Sequence, residues 1–149
     1  MVEAYARALA DQDLDAQDAL VHDDYEARYP QSGEVIRGRA KRRAVAEQYP
    51  GAEGGRLPVG LENIVGKDDQ FVTGPSWNLI HLTGSGDDFS IIGTITYPNG
   101  ETWHVVGMLT LREGKVWREV DYYAAPFERP EWRAALTELE PEEAHRAQA

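Results

Sequence analysis

Three β-rich runs, Phe89–Tyr97, Thr102–Arg112 and Lys115–Ala124, follow one another with only short turn signals at Pro98-Asn99-Gly100 and Glu113-Gly114 between them. Asn99-Gly100 is a strong hairpin signal, because both residue types tolerate the positive φ that tight two-residue turns require. Runs joined this tightly must pair antiparallel. They are also longer than the usual strand of about five or six residues, so in a small domain they must bend, and Gly93 and Gly107 are the expected bend points. Earlier turn signals at Gly66-Lys67-Asp68-Asp69 and Gly84-Ser85-Gly86-Asp87-Asp88 carry the strand-rich region back to Leu57.

The first fifty residues read differently. Val2–Ala10 carries Tyr5 and Leu9 four apart and predicts a short amphipathic helix closed by Asp11–Asp13. Asp15 is the expected cap of a second short helix with Leu14, Ala19, Leu20 and Val21, after which His22-Asp23-Asp24 turns the chain out. Tyr25–Tyr29 is expected to be extended, with Pro30 limiting its pairing. A turn at Gln31-Ser32-Gly33, a brief strand Glu34–Arg37 and a helix Arg39–Gln48 follow, with Ala44, Val45 and Tyr49 on one side and Pro50-Gly51 as the stop. Gly51–Arg56 joins this layer to the sheet. After the last strand, Phe127–Leu139 predicts a terminal helix with Pro130 in its first turn and Trp132, Leu136 and Leu139 on it. Helices first and a strand meander afterwards mean α+β, with residues 1–139 as one domain and 140–149 as a polar tail.

With 149 residues, the chain is long enough for one packed core without covalent staples. It has no cysteine, which excludes disulfides, thiolate metal sites and a cysteine nucleophile. The formal net charge of −11 repels a phosphate backbone, so no nucleic-acid partner is expected. The first residues lack the basic and apolar regions of a signal peptide, and no run has the ~20 apolar residues of a membrane span, so a cytoplasmic protein without membrane association is expected. Arg37-Gly-Arg39-Ala-Lys41-Arg42-Arg43 is the one basic run; it reads as a solvated helix face, with an anion site as the alternative. His22, His81 and His145 have no metal-ligand spacing around them, and no metal is predicted.

The order of these elements, the stretch Tyr25-Glu-Ala-Arg-Tyr29-Pro-Gln-Ser-Gly-Glu-Val-Ile-Arg-Gly-Arg39 and the closing Gly114-Lys115-Val-Trp-Arg-Glu-Val-Asp121-Tyr-Tyr123 resemble the SnoaL-like, nuclear-transport-factor-2-like proteins. The resemblance covers nearly the whole chain. It implies a strongly curved, cone-shaped mixed or antiparallel sheet that encloses a pocket and packs against three N-terminal helices. The family's interiors serve isomerases, cyclases, epoxide hydrolases and binding modules, and fold does not select among these.

Asp121 is the leading candidate for chemistry, since a carboxylate in a Val-, Trp- and Tyr-rich strand is costly to bury unless it is hydrogen-bonded or used. Its strand resembles that of limonene epoxide hydrolase, where the matching aspartate lies in the pocket. Facing inward, Asp121 would be a general acid or base; facing outward, it would be a surface aspartate paired with an arginine such as Arg118. Strict alternation puts Trp117, Glu119, Asp121 and Tyr123 on one face. A two-residue hairpin at Glu113-Gly114 sets His104, Val106 and Met108 beside that face, whereas a bulged loop sets Trp103, Val105 and Gly107 there. The resemblance favours the bulged register, and His104 is an acid/base partner only in the other.

Other residues of the epoxide hydrolase site are absent. Its Arg-x-Asp pair would fall within Ser90–Thr96, which holds neither residue type, and its water-holding tyrosine and asparagine fall on Ala27 and Tyr29. A mechanism resembling that of ketosteroid isomerase needs an oxyanion donor, which Tyr29, Tyr97 or Tyr123 could supply. The catalytic candidates are therefore Asp121, His104 and Tyr29, and the ligand-contact candidates Tyr123, Trp103, Val105, Trp117 and Glu119. The expected function is binding of a small apolar molecule of polyketide, terpenoid or steroid-like chemistry, with cofactor-free isomerisation or hydrolysis as the associated reaction. The alternative is a non-catalytic scaffold of the same fold. Either version is expected to form a homodimer through the outer face of the sheet, which is rich in apolar residues.

Overall fold

The computed structural model describes residues 1–49, 77–97 and 100–139. The expected linker Gly51–Arg56, the turn at Gly66–Asp69, the Pro50 stop, Pro98-Asn99 and the tail 140–149 lie outside the described residues. Within them the chain is α+β, with three N-terminal helices and a six-stranded mixed sheet.

The helices are α1 (Val2–Ala10), α2 (Leu14–Leu20) and α3 (Arg39–Glu47). Asp13, not Asp15, caps α2: its carboxylate accepts from the Ala16 amide at 3.0 Å, because only a residue ahead of the first turn can reach that free donor. The strands are β1 (Val21–Tyr29), β2 (Glu34–Arg37), β3 (Asn78–Ser85), β4 (Asp88–Thr96), β5 (Thr102–Arg112) and β6 (Lys115–Ala124), in the spatial order β2-β1-β6-β5-β4-β3. The acidic stretch His22-Asp23-Asp24 does not leave the sheet. It belongs to β1, whose parallel pairing with β6 is interrupted between Val21 and Glu26, and this irregularity accommodates the exposed aspartates.

Pro30 ends β1, yet pairing along β6 continues by other means. The Gln31 side chain donates to the Tyr123 carbonyl and accepts from the Tyr123 amide, each at 2.6 Å, and so imitates one more residue of strand. Gly38, at φ +87°, then turns the chain from β2 into α3.

The core is the inner face of the sheet under the helices. Val2, Tyr5 and Leu9 of α1 pack with Val21, Tyr25 and Ala27 of β1, and with Ile91, Ile95, Trp103, Val105, Leu109, Val116 and Tyr123 of the meander. Gly93 serves packing: the Trp77 indole occupies the space a side chain there would need. The expected terminal helix shrinks to a six-residue 3-10 helix, Glu131–Leu136, whose Trp132 and Leu136 are exposed together with Phe127 and Leu139. Among the described residues no apolar surface covers these side chains, so the burial that stabilises a longer amphipathic helix is missing.

Candidate functional site

The β5–β6 hairpin decides which residues can meet. Arg112 pairs with Lys115 across a tight turn in which Glu113 and Gly114 both have positive φ (+53° and +72°), the backbone of a two-residue loop. The register nevertheless ends as the bulged one, because Thr110 pairs with Arg118 while Leu111 pairs with Val116, which leaves Trp117 as an extra residue in β6. The bulge thus lies in the strand and not in the loop. Beyond it Gly107 faces Asp121 and Val105 faces Tyr123.

This register, the bulged one that the resemblance favours, decides between the alternatives for His104 and corrects the expected place of Trp117. His104 pairs with Ala124, is exposed and lies off the face that carries Asp121, so it is no acid/base partner there. Trp117 sits half-buried between Arg118 and Arg112, whose guanidinium carbons lie 4.0 and 5.3 Å from its ring centre, while Val116 takes the core position that alternation assigned to Trp117.

On the inner face of β6, Glu119 and Asp121 are the buried acidic residues, 6% and 5% exposed. Parallel pairing sets Ala27 of β1 beside Glu119, which places Tyr25 and Tyr29, two residues to either side, on the same inner face. From above, α1 brings Tyr5 and Leu9, the turn after it Gln12, and α2 brings Leu14 and Gln17. Arg42, Val45, Ala46 and Tyr49, spaced as one helical stripe, come from α3 and its end. Together with Ile36, these groups line a cavity of about 80 Å³ that reaches Glu119, Asp121 and Tyr29.

The hydrogen bonds inside this cavity wall are unevenly distributed. Tyr5 and Tyr25 both donate to Glu119 Oε2, at 2.9 and 2.5 Å. Arg42 Nη2 donates to Gln17 Oε1 at 2.7 Å and to the Tyr5 hydroxyl at 3.3 Å, and Gln17 in turn donates to the Ala8 carbonyl at 2.9 Å. The Arg42 guanidinium also lies over the Tyr5 and Tyr25 rings, at 5.6 and 5.7 Å. By contrast, neither the Asp121 carboxyl nor the Tyr29 hydroxyl has a hydrogen-bond partner among the described residues.

Burial and charge push both groups towards their neutral forms. Desolvation, and after it the charge of Glu119, pushes the Asp121 carboxyl well above the usual carboxylate range, against the opposing pull of Arg42. Tyr29 is pushed up by burial and then by Asp121 and Glu119, so its phenol keeps its proton. Tyr5 and Tyr25 are raised by burial above all and stay donors. Arg42, lowered by burial but raised more by Tyr5, Tyr25 and Glu119, stays a cation.

The cavity therefore brings together three predicted residues, Asp121, Tyr29 and Glu119. Tyr123, Trp103 and Val105 lie in the adjoining core and do not line it; Trp103 packs edge-on against Tyr97 at 5.3 Å, and Tyr123 is tilted against Tyr29 at 6.1 Å. Sequence reading missed Tyr5, Tyr25, Gln17 and Arg42. The 42-45-46-49 spacing was the available signal for Arg42; nothing local marks Tyr5 or Tyr25, whose meeting at Glu119 depends on the parallel β1–β6 pair.

Solved structures similar to this chain agree with this architecture. A 1.85 Å crystal structure of an NTF-2-like protein of unknown function from Burkholderia xenovorans LB400 is 29% identical, with 94% of this chain and 92% of that chain covered and a TM-score of 0.70. A candidate ketosteroid isomerase from Kribbella flavida DSM 17836 is 22% identical over 95% and 88% of the two chains, TM-score 0.72. An LEH-like epoxide hydrolase of M. tuberculosis is 21% identical over 82% and 78%, TM-score 0.55; these last two show a shared fold alone. No curated protein matches the chain. Among the described residues no helix is long and apolar enough to cross a membrane. Residues 2–119 match the SnoaL-like domain, and the chain belongs to that family.

Proposed function

We propose that the cavity binds a small, mainly apolar molecule by an oxygen acceptor such as a ketone carbonyl, with the neutral Asp121 carboxyl and the Tyr29 hydroxyl as paired donors. The observation that carries this reading is that both groups border the cavity and neither has a partner among the described residues, while burial pushes both towards their neutral, proton-bearing forms. Buried donors of this kind cost stability unless something accepts from them. In this reading the sheet is the curved wall of a cone closed by the three helices, and the ligand's polar end is seated first. Two neutral donors aimed at one oxygen stabilise developing negative charge, the arrangement ketosteroid isomerase illustrates among the general principles of catalysis. Asp121 acts as the proton donor for isomerisation or hydrolysis, and no cofactor takes part.

The cavity volume limits the ligand. At about 80 Å³ it is well below the ~300–1,000 Å³ of typical ligand pockets, so it seats the oxygen-bearing end of a polyketide, terpenoid or steroid-like molecule and not the whole skeleton. The same small volume favours a second reading, a non-catalytic scaffold that dimerises through the outer sheet face, where Ile80, Ile92, Val106, Met108 and Tyr122 are exposed.

Native mass spectrometry of freshly purified protein, followed by titration with a small cyclic ketone, separates the two. The first reading expects a retained or added ketone whose affinity falls at least about tenfold in Asp121→Leu or Tyr29→Phe, each of which deletes one buried hydrogen-bond donor. An empty dimer with unchanged ketone binding in both variants would favour the scaffold.

A further inference from the structure

The cavity wall contains two carboxyl groups and, among the described residues lining it, one cation, Arg42. Buried charge is tolerated when it is paired, so one carboxylate balances Arg42 and a second would leave an excess buried charge. Which of the two ionises is decided by donors. Tyr5, from α1, and Tyr25, from β1, both direct their hydroxyls to Glu119, and no donor among the described residues reaches Asp121. Hydrogen bonds to a carboxylate favour its charged form, so the division of donors is also a division of charge. We propose that Glu119 is a positioning residue for this site: clamped by Tyr5 and Tyr25, it takes the single negative charge that Arg42 balances and thereby keeps a proton on Asp121 for the ligand.

The proposal rests on the reading of Asp121 as a neutral donor to the cavity. Every element packed against Asp121 supplies part of its setting. Tyr5 comes from α1, Arg42 from α3 with Tyr49 beyond its end, and Tyr25 and Tyr29 from β1; Glu119 shares its own strand, and β5 offers only Gly107 opposite. An ideal Cβ on Gly107 would stand 2.8 Å from Asp121 Oδ1, so the carboxyl lies directly against the β5 backbone. Oε2 of Glu119 already accepts from both tyrosines, whereas neither oxygen of Asp121 has a donor among the described residues, so Asp121 is the carboxyl left to a ligand.

The test is a titration of the side-chain carboxyl carbons of the full chain by NMR after carboxyl labelling of aspartate, with the Asp121 signal assigned by its loss in Asp121→Asn. In the unsubstituted protein the Asp121 signal is expected to titrate above the ordinary aspartate range. In Glu119→Gln, where the amide still accepts from both tyrosines but carries no charge, Arg42 is left to Asp121, and the Asp121 midpoint is expected to fall by about one pH unit or more. Should that variant not fold, Tyr25→Phe removes one clamp and shifts the proton towards Glu119, again lowering the Asp121 midpoint. A midpoint that stays in place in the folded variants, or an ordinary midpoint in the unsubstituted protein, overturns the proposal. Because no ligand is present, the result is independent of the ketone titration: unchanged ketone binding in Asp121→Leu and Tyr29→Phe refutes the binding reading and leaves the charge assignment to be decided by NMR.

Discussion

Arg42 and Arg43 are neighbours in one basic run, and α3 sends them to opposite settings. Arg43 belongs with Arg39 and Glu47 to an outer stripe, where it pairs with Asp15 and Asp18 of the α2 region at 2.8 and 2.7 Å and with Glu47 at 2.8 Å, while Arg39 meets Asp23 at 2.7 Å. Arg42 belongs with Val45, Ala46 and Tyr49 to the cavity stripe, where it is bonded to neutral Tyr5 and Gln17 and faces the buried carboxyls at longer range. Arg43 thus has three carboxylate partners in good geometry, and among the described residues Arg42 has none within ion-pair distance. A count of ion pairs would rank Arg43 first. Solvent reverses the ranking, since water and salt screen the outer pairs and not the inner charge set.

The widest gap between the two stripes is expected from Arg42→Met. It leaves the single negative charge assigned to Glu119 without its cation, which by the usual magnitudes for breaking a buried charge set costs about 3 kcal/mol, the low end of the range because Arg42 is only partly buried overall. Urea unfolding near neutral pH measures this, and the loss is expected to shrink in acid as the carboxyls take up protons. If Arg42→Met and Arg43→Gln cost the same, the distinction between the stripes is wrong.

A second substitution disturbs the inner set without touching a charge. Gly107→Ala places a methyl group 2.8 Å from Asp121 Oδ1 and 2.9 Å from Ile91 Cγ1, so either the carboxyl or the core must move. The expected cost is about 1–3 kcal/mol, as for other insertions into packed interiors. A shift of the Asp121 carboxyl signal should accompany it, and a stable protein with an unmoved signal would mean that the carboxyl has room the cavity wall does not suggest.

How much of this was readable beforehand follows from the range of the interactions involved. The helix-then-meander order, Val2–Ala10, Glu34–Arg37 and the three long strands depend on local periodicity and turn chemistry, and they stand in the structure close to their expected bounds. Asp121 was legible because a lone carboxylate in an apolar strand violates local consistency, and such violations concentrate at functional sites. Trp117 was misplaced on the strict-alternation face because a one-residue bulge reverses every assignment beyond it and no residue type marks its position. The side of His104 hung instead on the hairpin register, for which the residues alone left two choices and the resemblance favoured the bulged one. Arg42 was hidden in its own run, since five cations in seven residues read as solvated unless the 3-4 spacing with Val45, Ala46 and Tyr49 is followed. Tyr5 and Tyr25 were illegible for a different reason, because 114 and 94 residues separate them from Glu119 and only the fold closes the gap.

Asp121→Asn sharpens the inner side through pH. The native state holds a proton on Asp121 that the unfolded chain releases above about pH 4. The stability this group contributes is therefore fully present below that pH and is lost as pH rises through the raised native midpoint. Asparagine removes the dependence, so the variant should gain on the parent protein as pH rises from 4 towards neutrality, with the two closest in acid. Unfolding midpoints across that window report the difference, and parallel curves would show that Asp121 is charged in the native protein.

The smallest effect is expected where the structure draws the most ion pairs. Arg43→Gln breaks contacts with Asp15, Asp18 and Glu47, but Asp15 is almost fully exposed and Glu47 is half-exposed, so each regains water on losing the arginine. Asp18 is the exception, since its side chain is about 22% exposed and its second oxygen is buried without a partner. The residual loss in Arg43→Gln should therefore trace to Asp18, and Asp18→Asn in the Arg43→Gln background should recover it, whereas Asp15→Asn should not. High salt separates the contributions: the parts of the loss due to Asp15 and Glu47 disappear as screening shortens to a few ångströms, and the part due to Asp18 persists. A loss abolished entirely by salt would place Asp18 with the exposed pairs and make the outer stripe uniform.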